Sequence, residues 1–145
     1  MMRPYLATSC LMLSAVLSAA ICAAAEKPAD LPEHRVVAMY FHRTQRCPTC
    51  KRISEYIEEA IQTGFAKELK GNTVSFHLID YQDRKNANFT RAYKIEAPTL
   101  VLADVHQGKV TTWKPMPLVW SLVAKKKDFL KYVQGGVRGY LEEKK

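Results

Sequence analysis

The chain has 145 residues, 48% of them hydrophobic and 25% charged, with a formal net charge of +8. That length suits one small globular domain, and six glycines with seven prolines exclude collagen-like and low-complexity classes. Four cysteines are too few for a disulfide-dense scaffold, and they fall into two unlike pairs, Cys10 with Cys22 and Cys47 with Cys50.

Residues 1–25 carry a single charge, Arg3, ahead of an apolar run diluted by Ala, Ser and Thr. Ala23-Ala24-Ala25 follows, and the whole reads as a secretory signal cleaved before Glu26. A retained membrane anchor is the alternative; acylation at Cys22 is excluded by the bulky Ile21 before it. The expected location is therefore exported, periplasmic or secreted, with membrane tethering only if the segment is kept. Cleavage leaves Cys47 and Cys50 as the cysteines of a basic mature chain. Its lysines are scattered apart from Lys125-Lys126-Lys127 and Lys144-Lys145, without the basic and aromatic interleaving of single-strand binders, so nucleic acid is not an expected partner.

Residues 26–34, with Pro28 and Pro32, read as a tether. The run 35–41 (Val36, Val37, Ala38, Met39, Tyr40, Phe41) predicts a buried strand. A polar loop leads to a helix over 48–63, with Ile53, Tyr56, Ile57, Ala60 and Ile61 on one face. Gly64 interrupts it, and 65–69 adds a turn or two. Residues 74–80 predict a second strand with Val74, Phe76, Leu78 and Asp80 on one side, and 84–93 a short helix around Phe89, Ala92 and Tyr93. Pro98 introduces a third strand over 99–103, His106-Gln107-Gly108 a hairpin turn, and 109–113 a fourth strand that Pro115 and Pro117 end. A short helix over 118–123 precedes a terminal helix over 128–141, which Phe129, Tyr132, Val133, Val137 and Tyr140 make amphipathic and Gly135-Gly136 weakens. The order β-α-β-α-β-β-α predicts a single α/β domain over 35–145. A right-handed parallel crossover and an antiparallel hairpin share one mixed sheet of about four strands flanked by helices.

Cys47-Pro48-Thr49-Cys50 falls where the first strand's loop enters the first helix. Cys47 near the N-cap meets unpaired backbone N–H groups and the positive end of the helix dipole. Pro48 suits the first helical position, and Cys50 lies one turn in, so the two sulfurs can close a small ring. Arg43, Arg46, Lys51 and Arg52 flank the pair. Cations and a helix N-terminus both favour thiolate, which makes Cys47 the candidate nucleophile and Cys50 the candidate resolving thiol. Arg43, Arg46, Pro48 and Thr49 are the residues expected to tune its pKa.

With these features the chain resembles the thioredoxin-like superfamily, over roughly residues 36–133. The strand over 36–41, the Cys47-Pro48-Thr49-Cys50 site, the helix after it, Ala97-Pro98-Thr99 and the turn at Gly108 all match. The resemblance implies a cis-proline at Pro98, and a substrate groove along Ala97 and Pro98. It implies a monomeric thiol-disulfide oxidoreductase that acts on protein thiols and disulfides, exchanges electrons with a membrane carrier if its role is reductive, and needs no cofactor beyond a redox-active Cys47–Cys50 disulfide. Two departures stand out. Arg46 precedes Cys47 where thioredoxins have Trp, and Tyr40 and Phe41 stand where they bury an aspartate.

A static structural disulfide is a weaker reading, because a two-residue loop gains little from closure. Two thiolates do not complete a zinc site, and no second CxxC or paired-His pattern follows, so no metal ligand set is expected. A metallochaperone holding copper(I) or another soft metal on the same cysteines, with His42 or Met39, is the alternative function. His34, His77 and His106 read as tether, strand-surface and turn residues, and Trp113 and Trp120 as packing groups.

Overall fold

The computed structural model describes residues 31–143. The signal segment, its cleavage site and the first part of the tether lie outside them. Strand β1 (His34–His42) takes the centre of the sheet, since its apolar run can be buried on both faces. It pairs in parallel with β2 (Val74–Asp80) and antiparallel with β3 (Thr99–His106), and β3 pairs antiparallel with β4 (Lys109–Pro115). The strand order is β2-β1-β3-β4, the mixed four-stranded sheet that the element order predicts.

Helix α1 (Pro48–Gly64) and helix α5 (Lys126–Glu142) cover one face. There Val36, Ala38, Tyr40, Leu100 and Leu102 of the sheet meet Ile53, Ile57 and Ile61 of α1 and Phe129, Val133 and Val137 of α5. The two predicted apolar stripes are thus the buried ones, with Tyr56 and Tyr132 at their margins. Helix α2 (Ala66–Lys70) is the turn expected after Gly64, and α4 (Val119–Leu122) precedes α5. On the other face Met39, Phe41, Val101 and Ala103 pack under Tyr93 and Ile95, which follow helix α3 (Ala87–Ala92).

Several expectations need correction. The 84–93 helix is a 3-10 turn (Arg84–Asn86) running into α3, and Phe89 is exposed. Leu78 is also exposed, because β2 is an edge strand. β3 and β4 run beyond the predicted ends, since pairing such as Val101 with Pro115 extends the ladder past residues that are poor strand formers. Pro115 is tolerated as the last residue of an edge strand. Gly135 and Gly136 do not interrupt α5. Gln107 and Gly108 both take positive φ (50° and 76°), the geometry that turns a tight hairpin with the twist of its strands.

Candidate active site

β1 and β3 bring the predicted site residues to one end of the sheet. Phe41 pairs with Thr99, so the loop leaving β1 and the Ala97-Pro98 segment entering β3 are neighbours. The loop is pinned to the end of β2. The Tyr81 N–H donates to the His42 carbonyl (3.0 Å), the Thr44 N–H to Gln82 Oε1 (3.1 Å), and Arg43 Nε to the Tyr81 hydroxyl (3.0 Å).

Cys47 is the N-cap of α1, with extended backbone, and Pro48 stands at the first helical position. The Cys50 N–H donates to Cys47 Sγ at 3.1 Å. The sulfur does what a serine or aspartate oxygen does at other N-caps: it accepts from one of the helix's orphan N–H groups. No acidic side chain lies in the first turn to compete for that role. Cys47 is exposed and Cys50 buried, and both are free thiols.

The two sulfurs are electrostatically unlike. The Cys47 thiol is held below the ordinary value, first by the Cys50 thiol beside it and then by the N–H groups of Cys50 and Thr49. Burial pushes the Cys50 thiol up, and its hydrogen bond to Cys47 adds to the rise. The flanking cations are not among the leading causes. Arg43 is taken by Tyr81, and Arg46 Nη1 donates to Ser54 Oγ (3.3 Å). Arg43 and Arg46 thus each have a hydrogen-bond partner other than the thiols, while Arg43 still feels the charges of Cys50 and Cys47.

Ala97 is exposed and Pro98 half-buried, with the Thr99 hydroxyl donating back to the Ala97 carbonyl (2.8 Å). The cis-proline implied by the resemblance is not found: among the described residues every peptide bond is trans. Trans is the intrinsically favoured isomer by about 0.5–1 kcal/mol, and the Pro98 carbonyl is engaged by the Trp120 indole N–H at 3.0 Å. Trp120 is thus a surface clasp on the site's loop rather than a core packing group. Trp113 does pack, edge-on against Tyr93.

Tyr40, which the sequence marks as a departure from the resembled pattern, lies within electrostatic reach of the pair. It is fully buried in the core under α1, and its hydroxyl has no hydrogen-bond partner. Burial, and then the charges of Cys50 and Cys47, hold that hydroxyl well above the usual phenol range. The phenol therefore stays neutral within electrostatic reach of the pair. As for metal binding at the thiols, Met39 points to the opposite face of the sheet, and His42 Nδ1 bonds the Arg43 carbonyl. Among the described residues no third histidine, acid or cysteine joins Cys47 and Cys50 as a ligand.

Solved structures similar to this chain include thioredoxins. Deadhead, a germline-specific thioredoxin from Drosophila melanogaster, is 17% identical, with 55% of this chain and 67% of that chain covered and a TM-score of 0.39. Thioredoxin O2 from Arabidopsis thaliana, in its oxidised state, is 18% identical over 66% and 76%, with a TM-score of 0.41. A cysteine-to-serine mutant of an Entamoeba histolytica thioredoxin is 22% identical over 70% and 81%, with the same score. No protein-family model and no curated protein matches the chain.

Proposed function

We propose that the protein is an exported thiol-disulfide oxidoreductase with Cys47 as nucleophile and Cys50 as resolving thiol. The observation that carries this reading is the asymmetry of the pair: an exposed Cys47 held toward thiolate at a helix N-cap, and a buried Cys50 held toward thiol.

In the reductive direction the Cys47 thiolate attacks one sulfur of a substrate disulfide and expels the other as thiolate. Cys50 then loses its proton and attacks Cys47 Sγ, releasing the second substrate thiol. The pair ends oxidised and the substrate reduced by two electrons; oxidation of a substrate dithiol is the reverse. Ala97 and Pro98 would flank the substrate backbone. Protein thiols and disulfides are the substrate class, and a membrane electron carrier would restore the pair if the role is reductive. Export rests on the 1–25 signal pattern; N-terminal sequencing of the secreted product should begin at Glu26.

Stabilising the Cys47 thiolate stabilises the reduced pair, so the reduction potential should be less negative than the roughly −270 mV of thioredoxin. A Cys50→Ser variant should accumulate mixed disulfides through Cys47. A Cys47→Ser variant that still turns over disulfide substrate would defeat the assignment.

A further inference from the structure

At the opposite end of the sheet from the cysteines, His34, Asp104 and His106 converge, although 70 residues separate His34 from Asp104. His34 opens β1 and lies directly across from His106, the last residue of β3. Asp104 is two residues before His106, so strand alternation puts all three side chains on one face. The imidazoles stack at 4.2 Å and 8°, and each turns Nε2 to the same carboxylate, His34 to Oδ1 at 2.8 Å and His106 to Oδ2 at 3.0 Å. Asp104 is fully buried, whereas both histidine side chains are 27% exposed and open to an entering ion.

We propose that His34, Asp104 and His106 form a binding site for a divalent first-row transition ion of the zinc type, with a fourth position left for water. Two imidazoles and one carboxylate are a donor set suited to zinc and its neighbours rather than to calcium or magnesium. One donor atom from each residue lies within 4.8 Å of the others. Bonds of about 2.0–2.2 Å to a tetrahedral ion set donors roughly 3.4 Å apart, so side-chain shifts on the order of 1 Å seat it. On binding, any proton on Nε2 leaves that nitrogen, to Nδ1 through solvent where the ring is neutral or to water where it is an imidazolium, and the freed lone pair takes the metal.

The surroundings hold the donors in place. β3 and β4 shift register between Asp104 and Val105, leaving Thr111 outside the ladder; its hydroxyl donates to Asp104 Oδ2 at 3.2 Å. A bulge that re-aims a side chain onto a ligating carboxylate is the kind of second support that metal sites use. The Gln107 N–H donates to the Glu33 carbonyl at 2.6 Å, tying the hairpin to the chain entering β1. Eight residue steps of about 3.3 Å along β1 put His34 roughly 26 Å from His42, the end of the strand from which the loop to Cys47 leaves, so the site is separate from the thiol chemistry.

The test uses the full chain without a histidine tag, freed of metal by chelator, with Cys10, Cys22, Cys47 and Cys50 all changed to serine. Zinc titration should saturate at one ion per chain, and among the four histidines the ring signals of His34 and His106 should be the ones that shift in NMR. The His34→Gln/His106→Gln variant should bind at least about tenfold more weakly. If that double variant fails to fold, the ring shifts in the parent and a single His34→Gln variant decide. No stoichiometric binding at micromolar zinc, undiminished binding by the glutamine variants, or shifts centred on His42 or His77 would each overturn the proposal.

Discussion

Adjacent glycines in α5 should respond unequally to alanine, Gly135 by a gain in stability and Gly136 by none or a loss. A Cβ on Gly135 would meet nothing within 4 Å, whereas one on Gly136 would come within 2.6 Å of Met116 Cε and 2.8 Å of Leu102 Cδ1. Both substitutions gain the helix preference of alanine over glycine, about 0.8–1.0 kcal/mol. Gly135→Ala keeps that gain whole. Gly136→Ala must also displace Met116 and the fully buried Leu102, and such overpacking costs about 1–3 kcal/mol. Its net effect is then between roughly neutral and about 2 kcal/mol destabilising. For a domain near this size, 1 kcal/mol moves the melting temperature by about 4–8 °C. Gly135→Ala should therefore melt several degrees higher than the parent, and Gly136→Ala at or below it, read by circular dichroism and checked by urea midpoint. A Gly136→Ala variant as stable as Gly135→Ala would show that α5 does not lie this close to β3.

Three further outcomes are expected. Limiting iodoacetamide should label Cys47 of the reduced protein first, with a rate midpoint below the roughly 8.5 of a free thiol; Arg43→Ala should leave that midpoint nearly unmoved, and a large upward shift would return control to the cations. Tyr40→Phe should melt at or above the parent, because a buried hydroxyl without a partner costs on the order of 1–3 kcal/mol; a fall of several degrees would mean the hydroxyl is bonded. For Asp104, burial alone would push the carboxyl up, but the hydrogen bonds from His34 and His106 outweigh it and hold it below the ordinary value. A folded pKa below the unfolded value of about 3.9 adds stability that is complete above that pH and is lost as pH falls through the folded pKa. Urea midpoints in chelator from pH 7 to 3 should therefore drop more steeply for the parent than for Asp104→Asn, and parallel curves would refute the linkage.

Local pattern was enough for the element order, the buried stripes of α1 and α5, the bounds of β2 and the strand-to-helix setting of Cys47 and Cys50. Apolar spacing of three to four residues or of two is what packing against a sheet selects, and a Cys-Pro pair at a helix start depends on nearest neighbours in the chain. Pairing across the sheet decided the rest. It carried β3 through Asp104 to His106 and β4 to Pro115, neither extension being favoured by the residues themselves. It also assembled His34, Asp104 and His106 out of residues that read separately as tether, strand and turn. Arg43 and Arg46, close in sequence to Cys47, proved to be engaged by Tyr81 and Ser54, while Tyr40, from the strand beneath, feels the charges of the thiols. Gly136, a weak point by helix propensity, is where α5 comes close to Leu102. Sequence distance limits which groups can meet through local geometry; which ones do meet, and in which direction a long side chain turns, depends on partners that only the folded sheet and its helices bring within reach.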